Sequence, residues 1–142
     1  MFKKILLPMD LTDKHQPAIA AAAELCTQSA GEVILFHAVE TIPGLPLDEE
    51  KTFYGRLERA ANDHLSRKVA ELCGKKVCCR HEVRLGHRTE ETLRFAREHG
   101  CDLIILTAPR FREDKPAVGL GSLGWKIGVM ASCPVLLVKA ET

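Results

Sequence analysis

The sequence predicts an α/β fold, a single three-layer domain over residues 1–142 with a five-stranded parallel sheet and helices on both faces. Two observations carry this. Short apolar runs alternate with helix-patterned stretches from one end of the chain to the other. Most of those runs are apolar at every position rather than at every second one, which marks strands buried on both faces, as in sheets built from right-handed strand–helix–strand crossovers.

The first strand is Ile5-Leu6-Leu7, stopped by Pro8. Thr12 to Ser29 reads as a helix with Pro17 in its first turn and Ala18, Ala21, Ala22 and Leu25 as its inward stripe, and Gly31 follows its end. Val33-Ile34-Leu35-Phe36 is the second strand. Pro43, Gly44 and Pro46 make Thr41 to Leu47 a loop, after which a long helix runs from about Glu49 to Leu72. Leu57, Ala61, Leu65, Val69 and Leu72 face inward along it, and Gly74 ends it. Val77, Cys79, His81 and Val83 alternate with Cys78, Arg80, Glu82 and Arg84, a half-buried strand nearer a sheet edge.

Gly86 turns the chain into a third helix with Thr89 as its N-cap, Glu90 and Glu91 at its positive end and Gly100 as its stop. Leu103-Ile104-Ile105-Leu106 is the most continuous apolar run and so a central strand. Thr107 to Gly119 is loop by composition. A helix of about ten residues through Trp125 and Val129 follows, and Pro134 to Lys139 is the last strand. In such sheets ligands sit at the carboxyl ends of the strands. That rule selects Pro8 to Asp10, His37 to Val39 and the loop after Leu106.

Composition removes several classes of function. The 20 Lys and Arg residues nearly cancel the 19 Asp and Glu, so no basic stripe points to nucleic acid. No apolar run is long enough for a membrane span, and the start at Met1-Phe2-Lys3-Lys4 lacks a signal peptide, so the expectation is a cytoplasmic protein. The six cysteines are then expected to be reduced and buried. Cys73, Cys78, Cys79 and His81 form the one grouping that resembles a metal site, but Cys78 and Cys79 would point to opposite faces of a strand, so no metal is assigned.

Gly119-Leu120-Gly121-Ser122-Leu123-Gly124 spells the dinucleotide fingerprint, yet it lies about a dozen residues beyond the nearest strand, with only one strand to follow. With Lys126 it imitates a P-loop, but Trp125 intervenes and no Ser or Thr follows the lysine. What remains is Gly121-Ser122 opening a helix, where free amides, a hydroxyl and the helix dipole make an anion site. The alternative is that Ser122 only caps its helix while Gly124 and Gly128 let it pack closely. Asp10, at a strand end, is a candidate ligand carboxylate, or else a cap for the next helix. His37 reads as a hydrogen-bonded core histidine, and neither Cys101 nor Cys133 has a neighbour that would activate it. No nucleophile elbow, His-Glu-x-x-His or carboxylate cluster is present, so the chain is read as a non-enzyme with no catalytic residue.

Six pieces occur in the order found in the universal stress protein family: Ile5-Leu6-Leu7-Pro8-Met9-Asp10, Leu35-Phe36-His37-Ala38, Gly86 before a helix, Asp102-Leu103-Ile104-Ile105, Gly121-Ser122, and Cys133-Pro134-Val135-Leu136-Leu137-Val138. The chain resembles that family along nearly its whole length. The resemblance implies strand order 3-2-1-4-5, an adenine-nucleotide-hydrolase-like layout, and bound ATP or AMP, with magnesium only beside ATP. It also implies that Asp10 contacts the adenine edge, Ala38 offers it backbone, Gly121 and Ser122 hold phosphate, and Pro8 and Leu123 line the pocket. A homodimer through Val135–Val138 is implied as well, since an apolar edge strand needs a cover. An enzyme of the related hydrolase type would lack its nucleophile and metal residues here.

The chain departs from the family's phosphate signature, which is Gly, two residues, Gly, nine residues, then Gly-Ser or Gly-Thr. Thr107 and Arg110 stand at the two glycine positions, ten residues separate Arg110 from Gly121, and Pro109 removes an amide donor. A left-handed backbone at each replaced glycine would cost about 1–2 kcal/mol. Together these would weaken binding roughly ten- to a thousandfold. Arg110 and Arg112 either pair with phosphate or are solvated loop charges. Two functions follow: a stress-response regulator that binds AMP, ADP or ATP weakly, or a nucleotide-free dimeric scaffold acting on an unknown protein partner.

Overall fold

The computed structural model describes residues 1–46, 48, 50–109 and 123–140. The elements in chain order are β1 (Lys4–Pro8), α1 (Gln16–Ser29), β2 (Glu32–Val39), α2 (Lys51–Cys73), β3 (Cys79–Leu85), α3 (Arg88–Glu98), β4 (Leu103–Ala108), α4 (Leu123–Met130) and β5 (Val135–Lys139). The strands form one parallel sheet ordered β3-β2-β1-β4-β5. This is the order the resemblance implies.

The apolar strands divide their side chains between two cores. Ile5, Leu7, Val33, Leu35, Leu103 and Ile105 meet α1 and α2 on one face. Leu6, Ile34, Phe36, Ile104 and Leu106 meet Phe95 and Ala96 of α3 and Ile127 of α4 on the other. Strands clothed on both sides need no polar alternation, which is why β1, β2 and β4 read as continuous apolar runs. The edge strands differ: no residue of β3 is fully buried, and Leu136 and Leu137 of β5 are exposed.

Several local expectations are corrected. The first helix begins at Gln16, not Thr12, because the Asp10 carboxylate accepts the Thr12 amide and hydroxyl and folds that stretch into a turn. The later start also keeps Pro17 in the first turn. The inward stripe of α1 is Ala18, Ile19, Ala22 and Cys26, with Ala21 and Leu25 only half-buried. On α2 the exposed Leu57 gives way to Tyr54, whose hydroxyl accepts from the Ile42 amide and donates to the Leu45 carbonyl, tying down the loop before the helix. Gly74 does end α2, in a right-handed conformation, and the left-handed residue follows at Lys76, φ 62°. Thr89 is a buried residue of the first turn of α3, and the cap position belongs to His87.

Thr107 does not begin a loop: β4 continues through Ala108 because Val138 and Lys139 of β5 stand opposite Thr107 and Ala108. The space beside Gly128 is open, so that glycine does not serve close packing. Cys26 and Cys101 are buried, but Cys73 and Cys78 are exposed, one at the end of α2 and one just before an edge strand, so burial does not account for them.

Candidate functional site

The carboxyl ends of β1, β2 and β4 converge on a cavity of about 380 Å³. Its apolar floor includes Phe36, Leu106 and Ala108, all nearly inaccessible to solvent. Of the residues singled out in the sequence, Pro8, Asp10, Ala38, Thr107 and Leu123 all line it. Arg110, Arg112, Gly121 and Ser122 lie outside the described residues.

One polar wall is organised around Asp10. Its Oδ1 accepts from the Thr12 amide at 3.1 Å and lies 2.8 Å from His15 Nε2, while Lys14 Nζ stands 2.9 Å from Oδ2. Burial by itself would raise the Asp10 pKa, but the bonds from Thr12, Lys14 and His15 outweigh it and hold the carboxyl well below its usual range. Asp10 is therefore ionised at any pH near neutrality. Burial pushes His15 below its usual 6.5 despite the neighbouring carboxylate, so its ring is neutral.

These charge states fix the tautomer. A nitrogen 2.8 Å from a carboxylate oxygen must carry the proton, so Nε2–H donates to Asp10. The Asp10 amide, 3.2 Å from the same nitrogen, is then a close approach only. Nδ1 is left as an acceptor, and Thr107 Oγ1, at 2.6 Å, donates to it. A hydroxyl–imidazole–carboxylate relay thus ties β4 to the turn after β1. The hydroxyl proton is committed inward, so toward a ligand Thr107 can only accept.

His37 is half-buried and lines the same cavity, with Nδ1 donating to the Met9 carbonyl at 2.8 Å. Sequence reasoning missed His15, Lys14, Arg88 and Lys139, all of which line the cavity. Asp10 and His15 are five residues apart, a spacing with no helical or strand period. Only a turn wrapped around the carboxylate brings them together.

The site suits a flat, partly apolar ligand with hydrogen-bond donors at one edge. Its volume lies within the usual range for small-molecule pockets. Among the described residues, no group of three or more His, Cys, Asp or Glu side chains is placed to hold a metal ion. Burial raises the thiol of Cys79 to about 12 and that of Cys101 to about 11, so neither is poised as a nucleophile. No helix among the described residues is long and apolar enough to cross a membrane.

A profile of the universal stress protein family matches residues 1–139. The chain belongs to that family. A universal stress protein of Thermus aquaticus is 33% identical over 147 residues, covering 98% of this chain and all of the relative. Among solved structures, the protein MJ0577 superposes with a TM-score of 0.80 at 23% identity, covering 100% of this chain and 99% of its own. A universal stress protein of Archaeoglobus fulgidus, solved in complex with dAMP, superposes with a TM-score of 0.71 at 17% identity, covering 99% of this chain and all of its own. At such identities the superpositions establish the fold, and this stress-protein fold is the one built above from the strands upward.

Proposed function

We propose that this chain is a non-enzymatic regulator that binds an adenine nucleotide in the cavity at the carboxyl ends of β1, β2 and β4. The observation that carries the reading is the ionised Asp10 carboxylate at the edge of an apolar floor. A purine ring can lie on Phe36 and Leu106 while its exocyclic amine donates to the carboxylate. Support comes from the Archaeoglobus fulgidus protein of the same fold, which was solved with dAMP. AMP, ADP and ATP are all candidates, with magnesium accompanying ATP alone. Affinity is weak in this reading, since Thr107 occupies a strand position where the family signature has a glycine turn.

The second reading, a nucleotide-free scaffold, draws on β5. Leu136 and Leu137 are 39% and 49% exposed on β5, whose outer edge has no partner strand among the described residues, a surface that a second copy of the chain would cover. A homodimer through Val135–Val138 is common to both readings, as is a cytoplasmic setting. Mass spectrometry of nucleotide released from the purified protein, with calorimetric titration of AMP, ADP and ATP, separates them. Adenine nucleotide is expected on the wild type, with affinity falling about tenfold in Asp10→Asn. A dimeric protein that neither carries nor takes up nucleotide would leave only the scaffold.

A further inference from the structure

Among the described residues, three cationic side chains line the cavity against one carboxylate, Asp10. They do not share their charge equally. Lys14 is spent on Asp10, with Nζ 2.9 Å from Oδ2. Arg88 is turned toward Glu40, with Nε 3.7 Å from Oε1, and its own backbone amide donates to the same oxygen at 3.3 Å. Lys139 has no carboxylate partner among the described residues. It is exposed, at the last position of β5.

The strand's alternation decides where Lys139 points. Val138 packs against the first core and Val135 against the second, so Val135, Leu137 and Lys139 share the second face. That face also carries Leu106 and Ala108 of the neighbouring strand, and Ala108 is the register partner of Lys139. Beyond Lys139 the backbone is still held, since the Ala140 amide donates to the Ala108 carbonyl at 2.9 Å. The ammonium is therefore carried by a fixed backbone at the β5 side of the cavity, across β4 from the Asp10 wall.

We infer that Lys139 is the specificity-determining cation for the anionic end of the ligand, so that the cavity takes a nucleoside mono- or diphosphate without a divalent metal. The inference rests on the adenine reading above and adds to it an orientation, with the base against Asp10 and the phosphates toward β5. The physical case is charge balance. Asp10 disfavours an anion on its own side, the cations nearest that side are already compensated, and the uncompensated charge lies at the opposite rim. An ammonium is a mobile point charge that meets phosphate without a glycine turn, and no described carboxylate cluster competes for magnesium.

The test is calorimetric titration of the full chain with adenosine, AMP and ADP in the presence of EDTA, for the wild type, Lys139→Met and Lys139→Arg. The wild type is expected to prefer ADP to adenosine in EDTA, and added salt is expected to erode that preference. Lys139→Met is expected to lose ADP affinity about three- to tenfold, with adenosine changed less than about twofold and Lys139→Arg close to the wild type. Retained adenosine binding shows that the variant is folded. ADP binding unaltered in Lys139→Met, or a wild type that takes adenosine and ADP equally well, overturns the role of Lys139 and leaves the adenine reading standing. A wild type that binds neither adenosine nor nucleotide overturns both.

Discussion

The two ends of the sheet use polar groups in opposite ways. At the amino end, where β1 and β4 begin, they close the chain on itself. The Asp102 carboxylate accepts the Lys3 amide at 2.9 Å and the Lys4 amide at 3.0 Å, and the Ser29 hydroxyl donates to the Phe2 carbonyl at 2.8 Å. Gly31 lies so near the Lys3 backbone that a Cβ there would stand 2.6 Å from the carbonyl oxygen. At the carboxyl end Asp10, His15 and Thr107 bond one another around a cavity and leave lone pairs facing it. One end holds the strands together and the other holds a space between them. Stability should therefore be sensitive at the amino end, and ligand binding at the carboxyl end.

The largest expected effect is that of Gly31→Ala. The clash is with backbone, which cannot rotate away, so a loss of about 2–3 kcal/mol is expected. In thermal melts this would lower Tm by roughly 6–12 °C, with the ligand affinity of the folded protein unchanged. A variant that melts like the wild type but binds less nucleotide would break the division between the two ends.

Asp102→Ala comes next, stranding two amides at a cost of about 1–2 kcal/mol. Burial would raise the Asp102 pKa, but the Lys4 and Lys3 amides outweigh it and hold it below the usual value. A carboxyl depressed in the folded state adds stability above its unfolded pKa, about 3.9, and loses it as pH falls through the folded value. Urea midpoints of the wild type and Asp102→Ala should then converge below about pH 4. A gap that stays constant as the pH is taken below that range would remove the carboxylate from the account.

The smallest effect belongs to the cavity end. His15 is neutral in the fold and titrates near 6.5 once unfolded, so protons favour the unfolded chain and stability falls as pH drops below that value. His64, also lowered by burial, contributes in the same direction. Changing His15→Gln should alter stability at pH 7 by less than about 1 kcal/mol. It should also flatten, without abolishing, the decline that sets in below about pH 6.5. A slope identical to the wild type would mean that His15 takes up protons equally in the folded and the unfolded chain.

Much of the fold was legible because burial is written locally. Ile5-Leu6-Leu7 and Leu103-Ile104-Ile105-Leu106 are apolar at every position, and only strands covered on both faces tolerate that. The boundaries were less legible where a distant group intervened. Thr107 reads as loop by composition and is strand because β5 stands beside it. Leu57 fits the helical stripe, but Tyr54 takes the buried place because its hydroxyl has the loop at Ile42 and Leu45 to bond. At the site, the strand-end rule and the family resemblance reached Pro8, Asp10, Ala38, Thr107 and Leu123. Neither reached His15 or Lys139.

The sequence by itself determined the alternation of strands and helices, the interior place of β4, the outer place of β3 and, through the family likeness, the order of the sheet. Apolar periodicity encodes those features within a few residues, and chain connectivity carries them into three dimensions. Only the tertiary structure decided that His15 would meet Thr107 across 92 residues of chain and that Lys139 would face the cavity without a partner among the described residues. Contacts between polar groups so far apart leave no period in the sequence. They exist because the sheet brings three strand ends to one place.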